Sequence, residues 1–391
     1  MLTTGEGQTR TADVVVIGAG VVGASTAYHL AAAGAGSVLL LESADAVGTG
    51  STGLCAGGFR HQFSSAVNIE LSQRSIELIM SFTETHGLPL DLHQDGYLFL
   101  VRDQEAWSRF EADVALQRSM GVDVRVLDAA GAAELIPGLR VDDVAGATYC
   151  PGDGLVDPYG LTQGYVTAAR RCGARLALRT AARRVLTQND QVTGVETSAG
   201  TIATGTVVNA AGPWARPLAE SAGIDLPVEP LPRHIVVTSP FAGRPELRTL
   251  VVDTPTGCYF HREGDGVLMG MGAVSEAYTF DTRVDDDFIA EELLPAAVNM
   301  LPAFEEAGFA HRWAGLYEMT PDHHPIIGPA PDVAGFYLAN GFSGHGFQQG
   351  PIVGKLLTEQ ICDGVARSVD ISALGLDRFA AGRLIDEQHV I

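Results

Sequence analysis

"DVVVIGAGVVGASTAYHLAAAGAGSVLLLE", residues 13–42, is the stretch whose reading decides the fold. Apolar residues 14–17 run into Gly18, helical spacing begins near Val21, Gly34 and Gly36 stop it, and a second apolar run ends on Glu42. Short apolar runs bounded by glycine read as buried strands, and a helix between two of them predicts a β-α-β unit with a parallel strand pair. The turn itself, Gly18-Ala19-Gly20-Val21-Val22-Gly23, has G-x-G-x-x-G spacing. Gly18 permits the tight turn, Gly20 lets backbone approach a pyrophosphate, and Gly23 lets helix pack on strand. The helix N-terminus then faces the anion. Glu42 ends the second strand, where a carboxylate accepts hydrogen bonds from ribose hydroxyls. Strand, turn, helix, strand and acid in this order predict dinucleotide binding; a merely glycine-rich turn is the competing explanation.

Working outward, residues 51–63 read as a loop, 65–87 as a helix ended by Gly87, 95–103 as a strand and 104–121 as a helix. Residues 150–160 read as a loop and 161–173 as a helix, followed by three short strands near 175–179, 191–198 and 201–212. The stretch 228–319 reads as mainly antiparallel, with strands at 229–240 and 249–254, a hairpin turning at Glu263-Gly264-Asp265-Gly266, and a helix over 286–304. A buried strand at 335–341 and a helix beginning near Pro351 close the chain. The expected class is α/β with α+β character: a Rossmann-like part over 1–90, 145–220 and 320–391, interleaved with an antiparallel-sheet part over 91–144 and 221–319.

Bulk properties narrow the function. A formal charge of -22 over 391 residues argues against nucleic acid, whose phosphates require concentrated Lys and Arg. The sequence holds no apolar run of about 18 residues, so no membrane span is expected. Residues 1–13 lack the layout of a secretory signal, and the expected location is the cytoplasm. Five scattered cysteines without a CxxC pair argue against a disulfide framework or zinc. His323 and His324 follow Asp322, but adjacent histidines point apart and no third ligand is suitably spaced, so no metal is expected.

The second informative stretch is "ANGFSGHGFQQG", residues 339–350, which follows a strand and precedes a helix. Gly341, Gly344 and Gly346 free the backbone to aim N–H groups at a flat ring, and the helix behind them adds a positive dipole end. Such donors suit the negative charge that a flavin gains at its N1 and O2 edge on reduction. This selects FAD over NAD. His345 reads equally as a chemical group or as a structural histidine.

These stretches, with "GSTG", "VVNAAGPWA" and "GLYEMTPDHHPIIG", resemble the FAD-dependent D-amino-acid oxidase superfamily, on its sarcosine oxidase, glycine oxidase and dye-linked proline dehydrogenase side. The resemblance spans nearly the whole chain. It implies a two-domain flavoprotein that oxidises the C–N bond of an amino acid or amine, such as glycine, sarcosine, proline or a larger amine, to an imine by hydride transfer to flavin N5. The implied FAD contacts are Gly18, Gly20, Gly23, Glu42, Ser43, Ser51, Thr52, Gly57, Gly58, Ala211, Gly212 and Trp214. At the ring the resemblance implies Gly341, Ser343, Gly344, His345, Gly346, Phe347 and Gln348. Arg60 matches the arginine that holds the substrate carboxylate in sarcosine oxidases, a role suited to a permanently charged fork. Tyr317 and Tyr259 are expected in the active-site wall, and His345 positions the ring.

Departures from the family pattern carry further information. A carboxylate-binding lysine falls on Gln348, leaving a neutral hydrogen bond to substrate or flavin; an active-site tyrosine falls on Phe260, a histidine on Gly272, and an oxygen-activating lysine on Leu268. Loss of these cations favours a dehydrogenase over an oxidase. In the hairpin, Tyr259 and His261 face away from Cys258 and Phe260, so a slip of one residue exchanges the lining. The cysteine that tethers FAD in some relatives falls on Gly315, and the histidine that tethers FMN falls near Pro158, so noncovalent FAD and no FMN are expected. Arg233 and His234, at the head of a strand, either reach the substrate side or are residues at the edge of a sheet, and the second reading is preferred. The electron acceptor is oxygen, a dye or a partner protein, and a homo- or hetero-oligomer is possible. Rival readings are a subunit of a heteromeric dehydrogenase, a natural-product tailoring oxidase, and a flavin-bearing assembly protein like the complex I assembly-factor branch.

Overall fold

The computed structural model describes residues 10–241, 246–272 and 277–390, so most of the stretch 1–13 lies outside the described residues. Val14–Ile17 and Val38–Leu41 pair in parallel around the helix Val21–Ala32, and all eight strand residues are buried. Burial on both faces is why these strands are continuously apolar. They are neighbouring inner strands of a six-stranded sheet in the order Arg175–Ala177, Val38–Leu41, Val14–Ile17, Thr206–Asn209, Phe336–Asn340, Ile326–Pro329. Neighbours are parallel except the last pair, which is antiparallel.

The helix Gly346–Asp363 lies directly against Val21–Ala32. Small residues make this possible: a Cβ on Gly354 would stand 2.5 Å from the Ser25 carbonyl carbon, and one on Gly350 would stand 2.8 Å from Val21 Cγ1. Ser25 Oγ donates to Pro351 O across the contact at 2.9 Å. Leu30, Leu161, Tyr165, Val353 and Leu357 share the adjoining apolar core, where each buried large side chain contributes roughly 1.5–3 kcal/mol. The pairing brings the two glycine-rich stretches, far apart in sequence, to one place.

Above them an eight-stranded sheet runs Phe309–Met319, Glu229–Thr238, Gly266–Met271, Tyr259–Glu263, Leu250–Asp253, Tyr97–Val101, Gly146–Cys150, Arg125–Leu127. It is antiparallel except where Leu250–Asp253 meets Tyr97–Val101. The strand Gly146–Cys150 thus belongs to this sheet although it lies beyond residue 145, where the expected Rossmann-like part resumes.

Several elements differ from expectation for local reasons. The helix over 65–87 is two helices, Ala66–Met80 and Phe82–His86, broken where Ser81 Oγ bonds back to Glu77 O at 2.8 Å. The 150–160 segment is not all loop: Gly154–Val156 pairs with Gly58–Phe59 and Leu92–His93. Residues 201–212 divide into Gly200–Ala203 and Thr206–Asn209, which enter different sheets. Ala182–Gln188 is an unexpected strand, because only Val185 among its seven residues is buried and no apolar pattern marks it. The last long helix starts at Gly346, which puts Pro351 inside it rather than in its first turn. The helical stretch near 286–304 has a widened turn, Ile289–Leu293, just before Pro295, whose ring cannot donate a backbone hydrogen bond.

Candidate cofactor and substrate site

The glycine turn is constrained where the motif requires it. Gly18 has φ +98°, and a Cβ there would lie 2.3 Å from Ala210 O; at Gly23 it would lie 1.9 Å from Gly18 O. Gly23 therefore shapes the turn without lining the cavity. Thr52 Oγ1 accepts the Val21 N–H at 3.2 Å, tying the 51–58 loop to the helix start. Glu42 closes the other side, accepting from Ala19 N at 3.0 Å and Ala44 N at 2.8 Å.

From this turn a cavity of about 530 Å³ runs to the 339–350 loop. Gly18, Gly20, Glu42, Ser43, Ser51 and Thr52 line one end; Gly57, Gly58, Ala211, Gly212 and Trp214 line its course. Ser343, Gly344, His345, Gly346, Phe347 and Gln348 line the far end with Tyr259 and Tyr317. Gly341 is outside the lining: its N–H donates to Glu318 Oε2 at 3.0 Å, and at φ +75° it bends the loop. Ser343 at φ +48° and Gly344 at φ +96° continue the left-handed path. Ser343 N donates to Glu318 O at 2.9 Å, and Thr320 N to Ser343 Oγ at 3.1 Å. A Cβ on Gly344 would meet Tyr317 Cε2 at 2.4 Å.

Side chains at this end have strongly altered environments. His345 is 4% exposed, and neither ring nitrogen has a hydrogen-bond partner among the described residues. Burial, reinforced by the Arg60 charge, holds its pKa well below the ordinary histidine value, so it is neutral. Burial pushes the Glu318 carboxyl up to about 7 against two backbone N–H groups that lower it. It also raises the phenols of Tyr97, Tyr259 and Tyr317, which stay protonated at neutral pH.

Three expected roles meet different surroundings. Arg60 is buried, its guanidinium donates to the carbonyls of Gln62 and His389, and it stacks 3.8 Å from the Phe63 ring centroid. Its terminal nitrogens are engaged by backbone, which is a structural use of the fork. Gln348 Oε1 accepts the Arg60 N–H at 2.6 Å and Nε2 donates to Ser72 Oγ at 3.3 Å, so the amide is satisfied inside the protein. Phe260 does not reach the cavity. It is fully buried in the helix-side core, perpendicular to Phe304 at 5.1 Å, while its neighbour Tyr259 takes the lining position. Strand alternation permits only one of the two to face the cavity.

Residues without a sequence signal also line the cavity: Cys55, Tyr97, Arg183, Ile235 and Glu318. Arg233 lines the cavity as well, and its strand lies inside the sheet between two neighbours rather than at an edge. His324, by contrast, is structural: Nε2 meets Ser65 Oγ at 2.8 Å, and neighbouring Asp322 holds Arg378 at 2.7 and 2.9 Å. Among the described residues His61, Cys150 and Asp153 cluster within 4.8 Å, and the Asp153 carboxylate bonds to His61 and Gln62.

The site fits FAD. Its length joins a pyrophosphate turn to a ring-binding loop, and at Gly18, Gly58 and Gly344 the surrounding atoms leave no room for a Cβ. Residues 13–360 match the FAD dependent oxidoreductase family. The chain is 32% identical to FAD-dependent oxidoreductase domain-containing protein 1 of Bos taurus, covering 97% of this chain and 87% of that protein. It is 31% identical to mitochondrial sarcosine dehydrogenase of Mus musculus over 90% of this chain, but spans only 40% of that protein. The crystal structure of L-proline dehydrogenase from P. horikoshii superposes with a TM-score of 0.90 at 32% identity, covering 96% of this chain and all of that one. No helix among the described residues is long and apolar enough to cross a membrane. Motifs, cavity and relatives agree, and the chain belongs to the FAD dependent oxidoreductase family.

Proposed function

We propose that the protein oxidises the C–N bond of a small amino acid or amine to an imine. The supporting observation is the cavity's far end, where the ring loop Ser343–Gln348 faces Tyr97, Tyr259 and Tyr317 beneath the antiparallel sheet. The names of the sarcosine and proline dehydrogenase relatives support the same substrate class. When bound, FAD supplies the two-electron acceptor. Gly18, Gly20 and Glu42 would hold its adenosine end, while Gly344, His345 and Gly346 would bring loop backbone to its ring, without a covalent tether. The three phenols stay protonated and serve as hydrogen-bond donors and not bases, so the substrate amine becomes neutral through desolvation. In this reading residues 1–90, 151–220 and 320–391 hold FAD and the remainder covers the substrate.

Dehydrogenase activity, with a partner protein or dye as acceptor, is the favoured form. Leu268, where relatives place an oxygen-activating lysine, is 3% exposed in an apolar cluster with Tyr97, Ile235 and Tyr259. A reducing compartment such as the cytoplasm suits five free cysteines. The test is anaerobic: purified holoprotein is mixed with glycine, sarcosine, N,N-dimethylglycine, L-proline, D-amino acids and larger amines, and flavin absorbance is followed. Bleaching by a member of the panel, with slow return in air, is expected. A colourless protein that takes up no FAD, or a flavin that no amine reduces, ends this reading; the latter outcome favours an assembly protein.

A further inference from the structure

In the small three-stranded sheet Phe59 lies opposite Gly154, which brings the residues just after one strand beside those just before the other. His61 thereby meets the turn Cys150-Pro151-Gly152-Asp153, closed by Asp153 N donating to Cys150 O at 3.2 Å. His61 Nδ1 stands 2.7 Å from Asp153 Oδ1 and 4.0 Å from Cys150 Sγ, and the three atoms all lie within 4.8 Å of one another. Cys150 is a buried free thiol, Asp153 is buried, and the His61 side chain forms the solvent side of the group. Burial and the Asp153 carboxylate push the thiol up, so it is no nucleophile, although the Gly152 and Asp153 N–H groups are directed at the sulfur and favour its anion. A nucleophilic triad would also use opposite ring nitrogens of the histidine, whereas here Nδ1 faces both partners. An outer layer is in place: Asp153 Oδ2 accepts from Gln62 Nε2 at 3.0 Å, and Gln62 Oε1 accepts from Thr148 Oγ1 at 2.7 Å.

We propose that His61, Cys150 and Asp153 bind one divalent transition-metal ion of the zinc class, with water at the fourth position on the His61 side. Tetrahedral zinc takes sulfur at about 2.3 Å, imidazole nitrogen at about 2.0–2.1 Å and carboxylate oxygen at about 2.0–2.2 Å, which sets N and O about 3.4 Å apart and S and N about 3.6 Å apart. The structure has 2.7 and 4.0 Å, so shifts under about 1 Å complete the site. Thiolate and carboxylate together balance a doubly charged ion, and no net charge is left in a buried place. Uptake releases the thiol proton to solvent, and the imidazole carries its own proton on Nε2 once Nδ1 binds the ion. Sulfur beside imidazole selects against calcium and magnesium, which take oxygen. His61 and Cys150 are 89 residues apart, which is why no CxxC or paired-histidine spacing marks the site. None of the three residues lines the cofactor cavity, so the ion has a structural place, tying the segment after Phe59 to the 150–153 turn.

In the experiment, holoprotein is stripped with a chelator, the chelator is removed, and Zn²⁺ is titrated in competition with a chromogenic zinc indicator. A parallel titration with Cd²⁺ follows the ultraviolet band of a cadmium–thiolate bond. Wild type is expected to bind one equivalent of Zn²⁺, to melt at a higher temperature with it, and to give the thiolate band with Cd²⁺. Cys150→Ser loses the band, and Cys150→Ser and His61→Gln each weaken Zn²⁺ binding by about 100-fold or more. Gln62→Met removes only the amide that orients Asp153 and weakens binding by about 10-fold. Retained FAD identifies the variants that fold, and His61→Gln, at the partly exposed ligand, carries the comparison if Cys150→Ser does not fold. Less than one equivalent bound by wild type, Cd²⁺ uptake without a thiolate band, or variants that bind Zn²⁺ as tightly as wild type overturn the proposal. The last result would assign binding to exposed groups such as His93 and Asp91.

Discussion

Replacing Glu387 with Gln tests how the chain's C-terminal segment supports the site. Glu387 is 1% exposed, and its two oxygens accept from Ser64 N at 2.8 Å, Ser64 Oγ at 2.6 Å, Ser65 Oγ at 2.8 Å, Asn68 Nδ2 at 3.0 Å, Ser65 N at 3.3 Å and His389 N at 3.1 Å. The carboxylate also stands at the start of helix Ala66–Met80, whose first residues offer unpaired N–H groups. Two residues on, the His389 carbonyl accepts from Arg60, and the Arg60 N–H holds Gln348 of the ring loop. A glutamine keeps the shape but turns an amide NH₂ toward converging donors. Two unmet bonds to a formerly charged group, at about 1.5–3 kcal/mol each, cost about 4 kcal/mol. With about 2.1 cal/mol/K per residue of unfolding entropy, this lowers Tm by about 5 °C. The hydrogen bonds and the His389 side chain hold the Glu387 pKa below the usual 4.5 despite burial, so its stabilisation is complete above that value and fades as pH falls below it. Thermal unfolding of holoprotein and the Glu387→Gln variant at pH 7 and pH 4 measures both effects. A Tm difference under about 1 °C at pH 7, or a gap that does not narrow at pH 4, refutes the assignment.

Gly344→Ala imposes φ +96° on a residue with a Cβ and drives it toward Tyr317; about 2 kcal/mol of strain weakens FAD binding by about 30-fold or more, read as flavin content after dialysis, and full retention of FAD would contradict the role given to this loop. Glu318→Gln addresses pH: the folded carboxyl titrates at about 7, above its ordinary 4.5, so its contribution is complete below pH 4.5 and lost as pH rises toward 7. Melting curves from pH 5 to 8 are expected to show a flatter decline in the variant than in wild type, and parallel curves would exclude Glu318 as the titrating group.

Residues 13–42 contained enough local information to specify their own fold. Turn glycines act through steric limits within a few residues, and strand burial is written in uninterrupted apolar runs, so the β-α-β unit and FAD turn were legible. Gly341 and Gly344 were legible as backbone specials for the same reason. Partnerships across the chain were not. Tyr259, not Phe260, lines the cavity because pairing with Gly270 and Met269 sets which face is inward, a choice that depends on strands elsewhere. Gln348 and Arg60 find each other, and Arg60 finds the His389 carbonyl, because helix Gly346–Asp363 docks on Val21–Ala32 and the C-terminal segment folds back. Arg233 has its place because Gly272, from a distant segment, carries no side chain against the guanidinium. The sequence by itself determined the cofactor turn, the glycine-rich 339–350 loop and the family; tertiary structure alone decided which aromatic and charged residues line the cavity, because side-chain direction follows register and packing between segments that no local pattern encodes.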